Sequence, residues 1–197
     1  AKNNGMFLMT SVLNDTLYTW HDGRVDPLYV IQTGKQAFPQ KAIDDGGPYD
    51  YYPEVVSKAQ KKGYSSGIER VWLTEKFGCA EYHIYRGTGS FYMNNQLHEM
   101  VFHAVNYLIW DLKTRRAIHY SPAGTWGSSL FYPGRKTFCT ATENALVSCI
   151  PAYEIAGIDR AKMDGDPIYS DSRIREIVDS TEENDNPVIV YYPLDSI

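Results

Sequence analysis

The sequence has little of several features that define common classes of protein. It contains three cysteines in 197 residues, and Cys79 has no partner once Cys139 and Cys149 are matched, which argues against a fold built on disulfides. Lysine and arginine total 19 against 24 acidic residues, and no basic block occurs, so nucleic acid is not an expected partner. No apolar run approaches the roughly 20 residues of a membrane-spanning helix, so no such segment is predicted.

The sequence also has no initial methionine and no secretory signal peptide. It begins at Ala1, which predicts that the chain has been processed or trimmed, or is part of a longer protein. A chain of this length buries roughly 70% of the surface that its unfolded form exposes. It therefore needs no metal to hold a core, and no metal or other cofactor is predicted.

Aromatic residues are abundant, with 16 tyrosines and four tryptophans, and they lie in short apolar runs bounded by turn residues. These runs predict strands over residues 6–10, 16–20, 25–33, 70–75, 80–86, 101–110, 116–120, 136–141, 145–150 and 188–192. Helices are predicted over 53–62, 152–161 and 172–180, the last capped by Asp171 or Ser172. The fold class is therefore mainly β, with antiparallel meanders and two or three short connecting helices in a single domain.

The predicted core consists of apolar residues at the centres of these strands. They are Leu17, Val30, Ile31, Val71, Leu108, Leu146, Val147, Val188 and Val190.

Four segments resemble the six-bladed β-propeller lipoproteins of Bacteroides-type bacteria. Residues 14–20 and 25–31 read Asn-Asp-Thr-Leu-Tyr-Thr-Trp and Val-Asp-Pro-Leu-Tyr-Val-Ile, like two strands of one blade, although Gln32 and Thr33 replace the family's Asp-Phe. Residues 107–114 resemble its Y-x-x-Y-D-x-K-T hairpin, and residues 183–190 resemble its closing strand. The resemblance implies a periplasmic or extracellular location, with any lipid anchor on a segment not present here, and it carries over no catalytic residue.

The length is short for that family, because six blades need roughly 300 residues or more. The chain is then either the C-terminal part of a longer propeller or an incomplete propeller of about three to four blades. An incomplete propeller exposes strand edges that a helix, a loop or another chain must cover, so self-association is an expectation in that case.

Two motifs, one with histidines and one with aspartates, have some features of metal sites. His98 and His103 lie five residues apart, whereas the zinc-protease helix requires a spacing of four, so surface or half-buried histidines are favoured. Asp164, Asp166 and Asp171 hint at calcium, but position 5 of an EF-hand loop is Ile168 and its position 12 is Arg175, so a solvated turn that caps the next helix is favoured.

The sequence contains no other motif that indicates a catalytic site. Residues 86–90 (Arg-Gly-Thr-Gly-Ser) lack the lysine of a P-loop and are predicted to form a turn. No serine lies in a nucleophile elbow. A hairpin centred on Asn144 would place Cys139 opposite Cys149, which permits a disulfide, but two reduced cysteines are favoured.

The candidate ligand-binding residues are Trp126, Phe131 and Tyr132. They lie in a long glycine-rich loop, residues 121–134, and exposed aromatic rings suit a sugar or a protein partner. The alternative is that these rings fold back and pack inside the protein. Residues 34–52, with Phe38, Tyr49, Tyr51 and Tyr52, form a weaker candidate of the same kind.

The absence of a catalytic constellation favours a binding or scaffold protein of the cell envelope, with a glycan or a protein as its ligand. The alternative is a carbohydrate-active enzyme, which requires carboxylates that converge in a cleft.

Overall fold

The structure is a computed structural model that describes residues 7–10, 14–39, 61–94, 96–122 and 129–194. The chain divides into two compact units. The N-terminal unit comprises Ala1–Val71, Gly78–Ile109 and Ile118–Tyr120, and the C-terminal unit comprises Trp72–Phe77, Trp110–Ala117 and Ser121–Ile197. Most of the helix predicted at 53–62 lies outside the described residues.

The predicted mainly β class with antiparallel pairing is confirmed, because strands account for 46% of the residues and helices for 18%. Within the described residues the strands form three sheets, with the orders β1-β2-β3, β4-β5-β6-β7 and β10-β9-β8. The strands are β1 Phe7–Met9, β2 Thr16–His21, β3 Arg24–Val30, β4 Ser65–Leu73, β5 Phe77–Met93, β6 Gln96–Asp111, β7 Ala117–Tyr120, β8 Phe138–Ala141, β9 Ala145–Ile150 and β10 Val188–Pro193.

The first sheet is built on a tight hairpin between β2 and β3. Asp22 and Gly23 form its turn with φ of 48° and 77°, the left-handed conformation that Gly and Asp tolerate best. A bulge between Leu17 and Tyr18 interrupts the register. Leu17 is fully buried on one side of this sheet.

The second sheet contains two long strands, β5 and β6, and the turn predicted at residues 86–90 is wrong. These residues lie inside β5, and the chain turns later, at Asn94, where φ is 52°. Glycine weakens a strand by only about 1 kcal/mol, and pairing along the neighbouring strands outweighs that local preference.

The third sheet is connected by helices between β9 and β10. Helix α1 covers Ala152–Ala156, and helix α2 covers Ser172–Ser180 with the Asp171 side chain as its cap, as predicted. The first of these was predicted to reach residue 161. It ends instead before Gly157, and Asp159 caps a separate 3-10 helix, Arg160–Lys162.

The three cysteines are free, as favoured from the sequence, but the predicted opposition of Cys139 and Cys149 is wrong. A bulge between Phe138 and Thr140 shifts the register, so that Phe138 pairs with Ser148 and Thr140 with Val147. The thiol of Cys139 instead donates to the Val147 carbonyl at 3.3 Å.

The predicted core residues divide into three groups. Four are buried: Leu17, Ile31, Leu146 and Val147. Four are half-buried: Val71, Leu108, Val188 and Val190. Val30 is 63% exposed, and its predicted burial is wrong because neighbouring residues of a strand point to opposite faces, while only the side that carries Leu17 and Ile31 is packed.

Candidate functional site

The loop that carries the predicted ligand-binding residues is described only from residue 129 onward, so Trp126 lies outside the described residues. Phe131 is 3% exposed and contacts the ring of Tyr169 edge-on, with 6.5 Å between the ring centroids. Its expected exposure is therefore wrong, and the alternative, that the ring packs inside the protein, holds for this residue. Tyr132 is half-buried, and its hydroxyl donates to Asp166 Oδ1 at 2.8 Å.

A cavity of about 460 Å³ lies beside this loop, entirely within the C-terminal unit. Its wall combines apolar side chains with three charged ones. The lining residues are Leu130, Glu154, Gly157, Ile158, Asp159, Lys162, Met163 and Tyr169.

The loop holds one wall of the cavity in place through Phe131 and Tyr132. Leu130 lines the cavity directly, and Phe131 packs against Tyr169, another lining residue. Asp166, which accepts the hydrogen bond from Tyr132, also accepts one from the Ile168 backbone at 3.2 Å. Asp166 thereby caps the 3-10 helix Pro167–Ser170 that carries Tyr169. Phe131 and Tyr132 therefore support the cavity wall, and neither of them lines the cavity.

Both carboxylates of the cavity are held by lysines. Glu154 forms an ion pair with Lys136, and Asp159 Oδ2 lies 3.3 Å from the Lys162 ammonium. The Asp159 side chain is 53% exposed and the Glu154 side chain 22% exposed. Because a carboxylate has about four acceptor positions, both groups keep acceptors available to a bound molecule.

A second polar cluster lies in the N-terminal unit on β5 and β6. Glu81 is 2% exposed, and its Oε1 lies 3.0 Å from His83 Nε2. Burial raises the pKa of the Cys79 thiol, and the Glu81 carboxylate raises it further. The same two causes hold the pKa of Tyr107 above its ordinary range. Cys79 is thus kept as a neutral thiol and is poorly suited to act as a nucleophile.

The three aspartates of the possible calcium site each bind other groups of the protein. Asp166 and Asp171 cap the helices that follow them, and Asp164 pairs with Arg175 at 3.1 Å. Within the described residues, no group of three or more potential ligands is arranged to hold a metal ion. His98 and His103 lie on β6.

Sequence reasoning did not identify Glu154, Asp159, Lys162 or Tyr169 as site residues. A signal was present for Asp159, since an aspartate two residues after Gly157 is typical of a helix end followed by a new helix cap. The pair Glu81 and His83 also had a signal, because residues two apart on a strand share a face.

Comparisons with known proteins give one informative match. No family model matches the chain, and no curated protein matches it. A solved crystal structure from Bacteroides fragilis, named "Putative exported protein", is similar to it with a TM-score of 0.58 and 14% identity. The match covers 96% of this chain and 47% of the other, so the chain spans about half the length of that neighbour. The likeness shows a shared fold.

Within the described residues, no helix is both long and apolar enough to cross a membrane.

Proposed function

We propose that this chain is a ligand-binding protein of the cell envelope, and that the cavity of the C-terminal unit takes one sugar residue of a glycan. The observation that carries the proposal is the composition of the cavity wall. A volume of about 460 Å³ falls within the range of roughly 300–1,000 Å³ that is usual for small-molecule sites. A protein ligand would instead need an extended interface of about 800 Å² on each partner.

The two kinds of side chain in the wall match the two surfaces of a sugar. Leu130, Ile158 and Met163 offer an apolar surface to the C–H face of a pyranose ring. Sugar hydroxyls need both acceptors and donors, which the two carboxylates and the Lys162 ammonium supply.

The envelope location is supported by the name of the Bacteroides fragilis neighbour, which describes an exported protein. The three sheets, each a meander of strands that follow one another in the chain, support the proposal that the chain forms blades of a β-propeller scaffold. An experimental structure of the chain within its natural full-length protein would test that scaffold.

The binding proposal is tested with a glycan array, followed by calorimetric titration of the best glycan. Asp159→Asn retains the side-chain oxygen that caps the 3-10 helix but removes the charge, and Lys162→Met removes the donor. Each change is expected to weaken binding at least tenfold, with an unchanged melting temperature, because both side chains are more than half exposed. Lys113→Met, at another exposed lysine, is the matched control and should bind normally. Failure of every glycan to bind, or equal binding by all variants, would contradict the proposal.

A carbohydrate-active enzyme is the second candidate, because Glu154 and Asp159 line the same cavity and glycosidases use two carboxyl groups. The surroundings of the two carboxylates argue against an enzyme. A glycosidase acid usually lies in an apolar environment, whereas each of these carboxylates lies next to a lysine. Release of reducing sugar from a bound glycan, abolished in both Glu154→Gln and Asp159→Asn, would favour the enzyme over the binding protein.

A further inference from the structure

We propose, as a step that rests on the proposed function, that the cavity of the C-terminal unit selects a neutral sugar over a charged one. A neutral sugar here carries hydroxyl or acetamido groups, whereas a charged one carries an ammonium or a carboxylate group. The residue that determines this selectivity is Lys136, which pairs with Glu154 but is not itself one of the lining residues.

The wall of the cavity by itself has an excess of negative charge. Its charged residues are Glu154, Asp159 and Lys162, so it holds two carboxylates and one ammonium group. A surface of net negative charge attracts cations. On the composition of the wall alone, a sugar with an ammonium group would therefore bind best.

Lys136 removes this excess. Its ammonium group forms an ion pair with Glu154 Oε2, while Asp159 pairs with Lys162. The side chains of Lys136 and Glu154 are only 31% and 22% exposed, so water and salt screen this pair less than an exposed one. Two positive and two negative charges therefore cancel around the cavity, in two separate pairs.

A neutral sugar can bind while both pairs stay intact. Glu154 has one oxygen against Lys136 and the other 3.3 Å from the Tyr153 hydroxyl, and Asp159 Oδ1 accepts from the Ala161 backbone at 3.2 Å. Each carboxylate has about four acceptor positions. Acceptors therefore remain for the hydroxyl groups of a sugar without the loss of an ion pair.

A charged sugar has no free opposite charge to pair with. Its charged group loses water on entering a cavity that Leu130, Ile158 and Met163 also line, and this loss is costly without a compensating partner. An ammonium group that displaced Lys162 from Asp159 would still lie near the Lys162 ammonium, because these residues are three apart in the chain. A carboxylate that took Lys162 would meet Asp159 in the same way, and like charges placed together oppose binding.

The test is competition against the best glycan of the array, measured by calorimetry with single sugars. The competitors are glucose, N-acetylglucosamine, glucosamine and glucuronic acid, with the same four derivatives of galactose and of mannose, at about pH 6, where the amine is protonated and the carboxyl group ionised. In the series that binds best, we expect both neutral sugars to bind about tenfold more tightly than either charged one. The N-acetyl sugar controls for size, because it has a larger group than the amine at the same carbon but no charge.

The variant Lys136→Met tests the origin of this selectivity. It leaves the Glu154 charge uncompensated, so the dissociation constant of the amino sugar, divided by that of the neutral sugar, should fall about tenfold. Lys136→Arg keeps the positive charge and should keep the ratio of the unmodified chain. The double variant Lys136→Met, Glu154→Gln again has no excess charge and should restore the preference for the neutral sugar. A purely structural role of Lys136 would weaken all sugars alike and leave the ratio unchanged.

A second variant covers the case in which Lys136→Met does not fold. Lys162→Met, at a side chain that is 76% exposed, leaves Asp159 unpaired and should shift the same ratio in the same direction. Tightest binding of a charged sugar by the unmodified chain, or a ratio that neither lysine variant changes, would overturn the selectivity and leave the proposed binding function standing. Failure of every sugar to bind would contradict both.

Discussion

Buried and helix-capping carboxylates have different kinds of hydrogen-bond partner in the two units. In the N-terminal unit, Glu81 is buried within the long strand β5, where the neighbouring backbone groups are committed to the sheet, and its partners are the side chains of His83 and Tyr107. In the C-terminal unit, Asp159, Asp166 and Asp171 stand at the first positions of short helices and accept hydrogen bonds from free backbone N–H groups.

The difference lies in what the backbone supplies: a helix start offers N–H groups to a carboxylate, in addition to any side chain that reaches it, whereas the interior of a paired strand offers none. Helix starts offer unpaired N–H groups, so their acids stay near the surface and leave the interior apolar. The C-terminal core contains Ile150, Ile155 and Val178 at 0% exposure. We therefore expect the stability of the C-terminal unit to depend on side-chain volume, and that of the N-terminal unit to depend also on its buried polar pair.

The largest effect is expected from Ile155→Ala in the C-terminal core. The side chain is fully buried in a cluster with Phe131, Met163 and Tyr169, and its truncation leaves a cavity that costs about 2–5 kcal/mol. Ile189→Ala, at an isoleucine of β10 that is 48% exposed, should change the free energy of unfolding by about 0.5 kcal/mol or less. Urea denaturation measures both, and equal losses would mean that the helices do not pack on this core.

An intermediate and asymmetric effect is expected from the Glu81–His83 pair. His83→Ala removes the histidine partner of a buried carboxylate, which costs about 1–3 kcal/mol. Glu81→Gln removes the charge, and the amide can still form a hydrogen bond with His83, so its cost should be less than half as large. Chemical denaturation of both variants tests this order. A larger loss in Glu81→Gln would show that the charge itself stabilises the sheet.

The smallest effect is expected from Asp15, a half-buried carboxylate of the N-terminal unit that has no histidine partner in the described contacts. Burial raises its pKa above 3.8, while the hydrogen bond from the Thr33 hydroxyl at 3.0 Å partly offsets the rise. A raised carboxyl pKa means that the folded state holds the proton more tightly than the unfolded state. The associated stability is present below pH 3.8 and is lost as the pH rises through the folded pKa.

The variant Asp15→Asn lacks this titration. The free energy of unfolding of the variant minus that of the unmodified chain should therefore increase as the pH rises from 3.8, because only the unmodified chain loses stability over this range. Denaturation curves at several pH values measure the difference, and Asp185→Asn, at an exposed carboxylate, is the control. A difference that stays constant with pH would contradict the assigned cause.

Local sequence was sufficient to predict the elements whose structure depends on residues close to one another in the chain. Helix α2 could be predicted over its full length because Ile174, Ile177 and Val178 repeat with the helical period and Asp171 precedes them. Strand β9 was predicted over its full length for a similar reason, since an apolar run follows a polar turn. The mainly β class follows from many such short runs.

The remaining features depend on contacts between distant residues. The glycines at 87 and 89 indicate a turn locally, but sheet pairing keeps them in β5. The burial of Val30 depends on which sheet face is packed, and the sequence is apolar on both. The cavity wall is assembled from residue 130, from residues 154–163 and from residue 169, and no periodicity connects these positions. The direction of the Phe131 ring follows from its tertiary packing against Tyr169, which the local sequence does not encode.

The bulge at Cys139 has a consequence for biosynthesis. A regular hairpin would hold the two thiols of β8 and β9 face to face, where an oxidising folding catalyst would join them. The extra residue in β8 removes Cys139 from the position opposite Cys149, and its thiol donates a hydrogen bond to the Val147 carbonyl instead. A single irregularity in the backbone thus keeps the two cysteines out of the cross-strand register in which a disulfide between β8 and β9 would form.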